Sequence, residues 1–301
     1  MRTLVQAMRD GVVVLDGGLS NQLAATGHVL SDALWSARLL ADAPDAIVDA
    51  HRAYLDAGAR VLTTASYQAT FEGFARRGLA GDAVDALLRR SVRLAREVID
   101  ARPDPPAVWV AASVGPYGAM LADGSEYRGR YGLTAEALAR FHRPRMRVLA
   151  AAGADVLACE TVPDVVEAQA LLDVLAELGV PAWLSYTVDG PRTRAGQPLD
   201  EAFAVAADRA EVIAVGVNCC RPTDVGPAVE VAARVTGKPV VAYPNSGERW
   251  DAAARAWVGP ASPADLAVAD WVAAGVRLVG GCCRVGPTGI AAIARRVALQ
   301  G

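Results

Sequence analysis

The chain has 301 residues, 53% of them hydrophobic and 21% charged, so it can bury a large core. Its formal net charge is −3 and no run of like charge stands out, which argues against nucleic acid or an anionic membrane as a partner. No stretch has the character of a signal peptide or a membrane span, so we expect a cytoplasmic protein, either a monomer or a small homo-oligomer.

Short β-type apolar runs alternate with longer helical patterns along the chain. Strands are predicted at residues 12–15, 61–66, 108–114, 156–159, 182–186, 212–217, 240–243 and 277–279. Helices are predicted at residues 21–25, 45–57, 82–101, 134–152, 164–178, 199–209, 225–235, 263–274 and 288–298, with Ser262 and Pro263 beginning the helix at 263–274. An insertion at residues 117–132, rich in glycine and tyrosine, is too long for an ordinary connection and indicates a functional loop.

Eight strand–helix repeats predict an α/β fold with a parallel sheet. Such a sheet either closes into a (β/α)₈ barrel or stays open and doubly wound. The first strand is followed only by the doublet Gly17-Gly18 and not by a Gly-x-Gly-x-x-Gly sequence, which weakens the dinucleotide-binding alternative. We therefore predict a (β/α)₈ TIM barrel that forms a single domain over residues 1–301.

Polar and thiol side chains follow the predicted strands at the ends where barrel enzymes build their active sites. These strand ends carry Asp16, Tyr67, Gly115, Glu160, Tyr186, Cys219, Asn245 and Cys282. Two carboxylates, several thiols and aromatic groups would therefore converge at one end of the barrel, which we call the mouth. This expectation needs only the strand assignments.

The cysteines are unevenly placed. Two adjacent pairs, Cys219-Cys220 and Cys282-Cys283, each follow an apolar run, and the total of five is odd, which is untypical of a disulfide framework. Zinc prefers thiolate and imidazole ligands. The three histidines lie away from the predicted strand ends, so a metal there would be bound by sulfur. From spacing alone, a zinc site and small buried core residues remain alternatives.

Side-chain alternation separates the cysteines further. If Glu160 faces the mouth, Cys159 faces the helices, and core packing is favoured for Cys159 and Cys220. In a regular strand, Cys282 and Cys283 would point to opposite faces. Both thiols can therefore reach one ion only where the chain has left the strand. The preceding Gly280-Gly281 permits such a departure. Either residues 280–283 leave the strand, or one of the two thiols is not a ligand.

Six sequence blocks carry a family resemblance across the whole chain. They are residues 15–18 (LDGG), 64–70 (TASYQAT), 121–127 (LADGSEY), 216–220 (GVNCC), 243–248 (YPNSGE) and 280–284 (GGCCR). In this order and combination they resemble the zinc-dependent homocysteine S-methyltransferases. The resemblance implies a (β/α)₈ barrel with a three-thiolate Zn²⁺ site, and it assigns Cys219, Cys282 and Cys283 as the ligands.

The resemblance also implies the reaction. Homocysteine sulfur would take the open zinc position, lose its proton and receive a methyl group from a sulfonium donor, giving methionine. The block at residues 121–127 looks most like the S-methylmethionine group, with S-adenosylmethionine as a second donor. The alternatives are betaine as donor, a selenol as acceptor, a non-catalytic barrel that binds an amino acid, and a structural zinc closed by a fourth cysteine.

Substrate contacts follow from the same resemblance. It assigns Asp16 and Glu160 to the homocysteine ammonium, and the backbone N–H groups of Gly17 and Gly18 could receive its carboxylate. An Asp-Gly-Gly turn without a ligand is the alternative.

Three further residues complete the predicted substrate contacts, namely Asn218, Tyr67 and Glu126. Glu126 lies in the insertion with Tyr127 and Tyr131, which could close over the donor and hold a sulfonium against aromatic faces. An ordinary structured loop is the alternative there.

Overall fold

Eight parallel strands form the centre of the computed structural model, which describes residues 2–30, 34–103, 107–251, 256–261 and 267–300. The strands are β1 (Val13–Val14), β2 (Val61–Thr63), β3 (Trp109–Val114), β4 (Val156–Val162), β5 (Ala182–Tyr186), β6 (Val212–Asn218), β7 (Val240–Tyr243) and β8 (Val276–Val279). They follow one another in chain order around the sheet, and β1 pairs with β8. Leu15 pairs with Val61 and closes the ring between β1 and β2. The predicted single-domain (β/α)₈ barrel is confirmed.

Helices surround the strands. The α-helices are Leu4–Asp10, Leu19–Ala25, Leu39–Asp42, Pro44–Asp56, Phe71–Ala75, Asp82–Asp100, Tyr117–Leu121, Ala135–Ala151, Val165–Leu178, Leu199–Ala204, Pro222–Thr236, Val268–Ala273 and Pro287–Ala298. Short 3₁₀ turns span Trp35–Arg38 and Ser125–Tyr127. Two small hairpins pair Val188–Asp189 with Arg192–Thr193, and Arg249–Asp251 with Ala256–Val258. No helix in the described ranges is long and apolar enough to cross a membrane.

Several predicted boundaries move. β2 ends at Thr63 instead of residue 66, because the chain turns immediately after it. β4 continues to Val162 through an irregularity in its pairing with β5, so Glu160 lies within the strand and not beyond it. The helix predicted at residues 199–209 ends at Ala204. The predicted helix start at Ser262 and Pro263 lies outside the described residues.

The barrel interior is filled by alternate side chains from the strands. This inner core contains Val13, Leu15, Val61, Trp109, Ala111, Val156, Ala158, Trp183, Ala214, Val241, Tyr243 and Leu278. Trp183 is fully buried, and its indole N–H donates to the Tyr243 hydroxyl at 2.9 Å. A larger core between strands and helices contains Cys159 and Cys220. The interior is therefore solid, and only its rim at the strand ends is available for a ligand.

The N-terminal helix Leu4–Asp10 was not predicted, because the first ten residues are polar and mixed in charge. Its buried residues Leu4, Ala7 and Met8 follow helical spacing and join the inner core. Thr3 begins the helix with a capping box that also uses Gln6. The helix thus contributes to the core inside the barrel.

His51, on helix Pro44–Asp56, makes stability pH-dependent. It is fully buried, both ring nitrogens lack a hydrogen-bond partner in the described structure, and burial lowers its pKa from 6.5 to about 4. The folded state therefore favours the neutral imidazole of His51. The contribution of this group to the free energy of unfolding is complete above pH 6.5, and it is lost as the pH falls towards 4. We expect His51→Leu to reduce the stability lost between pH 7 and pH 4.5 by roughly 2 to 3 kcal/mol.

Denaturant unfolding at the two pH values measures this difference. His28→Gln is the matched control, because it removes a histidine that is only partly buried. Equal losses of stability in the wild type and His51→Leu would contradict the assignment.

Candidate functional site

Three thiols meet at the rim of the barrel. The sulfur atoms of Cys219, Cys282 and Cys283 all lie within 4.8 Å of one another, and those of Cys219 and Cys283 are 3.6 Å apart. Two sulfur ligands of a tetrahedral zinc ion, each at 2.3 Å, are about 3.8 Å apart. β8 ends at Val279, so residues 280–283 have left the strand. This is the condition under which both Cys282 and Cys283 can reach one ion. This donor set and its spacing fit Zn²⁺.

Backbone hydrogen bonds tie the cysteine-bearing loops together. The Cys219 N–H donates to the Tyr243 carbonyl at 3.2 Å, and its φ of 51° turns the chain sharply at the end of β6. The Cys282 N–H donates to the Pro244 carbonyl at 2.7 Å, and the Cys283 N–H to Asn245 Oδ1 at 3.1 Å. The loop after β7 therefore positions the thiols that follow β6 and β8.

Two glycine pairs, Gly17-Gly18 and Gly280-Gly281, allow the first and last strand ends to approach closely. A Cβ on Gly17 would lie 2.2 Å from the Val285 carbonyl oxygen, and one on Gly18 would lie 2.6 Å from the Cys282 carbonyl oxygen. A Cβ on Gly280 would be 2.7 Å from the carbonyl oxygen of Asp16. These contacts leave no room for a side chain, so the glycines set the path of the cysteine-bearing loop.

Gly17→Ala should displace the cysteine thiols, although Gly17 is not one of the cluster residues. The added methyl would meet a backbone oxygen, so the segment from Cys282 to Val285 must shift, at a cost of about 1 to 3 kcal/mol in stability. We expect metal affinity to fall by about tenfold or more, because the ligand spacing changes. Metal titration and thermal unfolding measure the two effects. Gly11→Ala is the control, since its Cβ would have no neighbour within 4 Å. Wild-type metal affinity in Gly17→Ala would refute this account.

Hydrogen bonds among the three thiols shift the pKa values of Cys282 and Cys283 in opposite directions. Those from the thiols of Cys219 and Cys282 lower the pKa of Cys283 well below its usual range. Hydrogen bonds with Cys219 and Cys283, together with burial, raise the pKa of Cys282. These hydrogen bonds thus favour negative charge on Cys283 over Cys282. An anionic sulfur cluster of this kind is suited to a soft cation.

Two buried carboxyl groups face the same mouth. Asp16 accepts the Thr63 N–H at 2.7 Å and the Thr63 hydroxyl at 2.8 Å. Burial raises the pKa of Asp16 to about 8, although these hydrogen bonds oppose the shift. Glu160 accepts the Ser113 hydroxyl, and burial raises the pKa of Glu160 to about 7. Burial favours the neutral form of both carboxyl groups. A cationic group placed between them would lower their pKa values and favour the carboxylate forms.

The insertion contributes a third acid, Glu126, and the ring of Tyr127, and it lies near Tyr67. The Tyr127 hydroxyl lies 3.1 Å from the Cys219 sulfur. Glu126 is buried, and burial raises its pKa to about 7. Burial also raises the pKa of Tyr67, with smaller contributions from the charges of Cys219 and Glu126. The insertion is therefore in contact with the cysteine cluster, and it folds as helix Tyr117–Leu121 followed by the turn Ser125–Tyr127.

Asn218 and Gly18 have partners within the protein. The Asn218 side-chain oxygen accepts the Thr161 N–H at 2.7 Å and the Ser185 hydroxyl at 2.7 Å, and its NH₂ donates to the Thr161 hydroxyl at 2.8 Å. Asn218 therefore shapes the irregular end of β4, next to Glu160. The Gly18 N–H donates to the Val285 carbonyl at 3.0 Å and is not available to a carboxylate. No hydrogen bond in the described ranges uses the Gly17 N–H, which remains a candidate donor.

Cys159 and Cys220 lie away from the cluster. Both are fully buried in the core between strands and helices, as alternation predicted. Among the described residues, only the other three cysteines form a group with metal-ligand spacing. A metal at that group would therefore have three protein ligands and one open position, as catalytic zinc sites do.

A buried ionic network behind the mouth was not predicted. Arg145 donates to the Gly115 carbonyl and to His142 Nδ1, the latter at 2.6 Å. His142 Nε2 therefore carries the proton and donates to Glu167 at 2.9 Å, and Glu167 also accepts the Tyr117 N–H at 2.6 Å. The network holds the end of β3 and the start of the insertion. Its sequence signal was a histidine and an arginine three residues apart on a buried helix face.

Comparison with known proteins agrees with this geometry. Residues 13–297 match the family model described as homocysteine S-methyltransferase. Homocysteine S-methyltransferase 4 of Zea mays is 48% identical over 307 residues, covering 95% of this chain and 90% of the relative. Selenocysteine Se-methyltransferase of Brassica oleracea var. italica is 42% identical over 312 residues, covering 95% and 89%.

A solved structure supports the same relationship. The metallated form of the homocysteine methyltransferase MmuM from Escherichia coli superposes with a TM-score of 0.88 at 41% identity, covering 97% of this chain and 99% of that chain. Sequence and fold agree over nearly the full length of both proteins. The chain therefore belongs to the homocysteine S-methyltransferase family.

Proposed function

We propose that this protein is a zinc-dependent homocysteine S-methyltransferase. It transfers a methyl group from a sulfonium donor, S-methylmethionine or secondarily S-adenosylmethionine, to the thiol of homocysteine and gives methionine. The observation that carries the proposal is the convergence of Cys219, Cys282 and Cys283 on one point beside two buried carboxyl groups. The whole chain, residues 1–301, serves as the homocysteine-binding unit.

The three thiols are the residues that would hold zinc. When bound, the ion would lower the pKa of a substrate thiol and keep it as a nucleophilic thiolate at neutral pH. The thiols are free in the structure and must stay reduced to bind a metal, which fits a cytoplasmic location. The hydroxyl of Tyr127, 3.1 Å from the Cys219 sulfur, would hold that ligand in place by a hydrogen bond.

The chain's own residues align the acceptor. The homocysteine ammonium would lie between Asp16 and Glu160, which ionise when they receive it, and the Gly17 N–H would donate to its carboxylate. The insertion would cover the donor, with Tyr67 and Tyr127 offering aromatic faces to the sulfonium. A sulfur lone pair then forms the new S–CH₃ bond while the donor's S–CH₃ bond breaks. The electron pair leaves with the donor sulfur as a neutral thioether, so no redox partner is needed, and the thiol proton that homocysteine loses on binding passes to solvent.

A selenol acceptor is a second candidate, and the selenocysteine Se-methyltransferase relative favours it. Betaine as donor and a non-catalytic amino-acid-binding barrel are the remaining alternatives. A donor panel with homocysteine and added zinc separates all of them. S-methylmethionine should give two methionines per turnover, one from each sulfur compound, and selenocysteine can replace homocysteine in a parallel series. Tight homocysteine binding without turnover of any donor would favour the non-catalytic alternative.

A further inference from the structure

The Glu126 carboxyl group is buried, and one of its oxygens is not hydrogen-bonded in the described structure. Its side chain lies in the turn Ser125–Tyr127 and is only 5% exposed, yet its Oε2 atom has no hydrogen-bond partner in the described structure. No ion pair of the described residues includes Glu126 either. A buried acceptor without a donor is costly, so a site of this kind usually receives its donor from a ligand.

The turn that carries Glu126 is held firmly. The Ser125 N–H donates to Asp123 Oδ1 at 2.9 Å, and the Gly129 N–H donates to the Ser125 carbonyl at 2.9 Å. Helix Tyr117–Leu121 packs so closely on the turn that a Cβ on Gly118 would lie 2.4 Å from the Glu126 nitrogen. The backbone from which the orphaned carboxyl oxygen projects is therefore fixed in place.

Two polar groups with unsatisfied atoms neighbour Tyr127. Glu126 precedes it, and the guanidinium of Arg194 lies over its ring at 5.8 Å from the centroid. The Arg194 Nε is buried and has no hydrogen-bond partner among the described residues. On its other edge Tyr127 reaches the cysteine cluster through its hydroxyl. An unsatisfied acceptor on the preceding residue and an unsatisfied cationic donor over its ring thus neighbour the tyrosine that contacts the cysteine cluster.

The chemistry of the donor decides what these groups can bind. A sulfonium has no N–H and offers no hydrogen bond to an orphaned oxygen, whereas an ammonium offers three. A carboxylate is the natural partner of a guanidinium. We infer that Glu126 receives the α-ammonium and Arg194 the carboxylate of an amino-acid sulfonium donor. The inference rests on the proposed function and makes Glu126 the residue that selects α-amino-acid sulfoniums over sulfoniums without an amine.

The test compares two donors in the zinc-loaded enzyme. S-methylmethionine has an ammonium and a carboxylate, whereas dimethylsulfoniopropionate has a carboxylate only. Glu126→Gln should raise the KM for S-methylmethionine by about tenfold or more and leave the KM for homocysteine within about twofold. The ratio of kcat/KM between the two donors should fall by a similar factor. Glu126→Asp, which retains the charge, should recover part of the loss.

Direct binding provides an independent measurement. Calorimetry of S-methylmethionine with the zinc-loaded protein, in the absence of homocysteine, should show a weaker Kd for Glu126→Gln and for Arg194→Met. Glu136→Gln is the matched control, because Glu136 is exposed in the first turn of helix Ala135–Ala151. An unchanged donor ratio and Kd in Glu126→Gln, or no binding of S-methylmethionine to the wild type, would overturn the inference. Binding without methyl transfer would refute the proposed function and leave the subsite standing.

Discussion

Replacing Cys219 with serine should remove the metal and lower kcat/KM by about a thousandfold or more. The thiol lies 3.6 Å from the Cys283 sulfur and within 4.8 Å of that of Cys282, so it completes a three-sulfur face. Zinc binds a hydroxyl much more weakly than a thiolate, and a two-sulfur site should lose more than about a hundredfold in affinity. Metal content after dialysis and steady-state turnover with homocysteine measure the two losses.

Cys220→Ala is the matched control for this variant. Cys220 is the next residue in the chain, but it is fully buried in the core between strands and helices. We expect it to lose about 1 to 2 kcal/mol of stability through the small cavity, while metal content and activity per folded molecule stay at the wild-type level. Stoichiometric zinc with full activity in Cys219→Ser, or loss of both in Cys220→Ala, would be incompatible with the assigned ligand set.

The contrast between Cys219 and Cys220 shows how far periodicity carries a sequence argument. Alternation along a strand places Cys159 towards the helices, and the strand count places Cys282 at the same rim as Cys219. Alternation also allows both Cys282 and Cys283 to be ligands only if residues 280–283 leave the strand, and β8 does end at Val279. These features depend on local pattern and on barrel closure, which a single sequence contains.

Features that depend on exact backbone paths could not be predicted. The Gly18 N–H appeared available to a ligand, but it donates to the Val285 carbonyl from the other end of the chain. The irregular end of β4 depends on the Asn218 side chain, which belongs to another strand. The Arg145 network likewise joins two helices and a loop through side-chain atoms. Such pairings have no sequence period, so only the folded structure reveals them.

Glu160→Gln should weaken homocysteine binding by roughly tenfold to a hundredfold, the value of a hydrogen bond to a charged group. Glu160 is 6% exposed and already accepts the Ser113 hydroxyl, and glutamine can keep that bond while losing the negative charge. We therefore expect a higher KM for homocysteine, an unchanged melting temperature within about two degrees, and full zinc content. The donor KM should not change, because the proposed donor subsite lies at Glu126.

An acceptor without an amine isolates the charge effect. Wild type and Glu160→Gln should use 4-mercaptobutyrate, which is homocysteine without its amine, equally poorly, since that thiol has no ammonium for Glu160 to receive. Asp16→Asn should behave in the same way, and the double variant should lose less than the sum of the single losses if both carboxyl groups hold one ammonium. Additive losses would place the two acids on different groups of the substrate. An equal loss with 4-mercaptobutyrate would show that Glu160 does not act through the ammonium, and it would move the amino-acid pocket elsewhere on the rim.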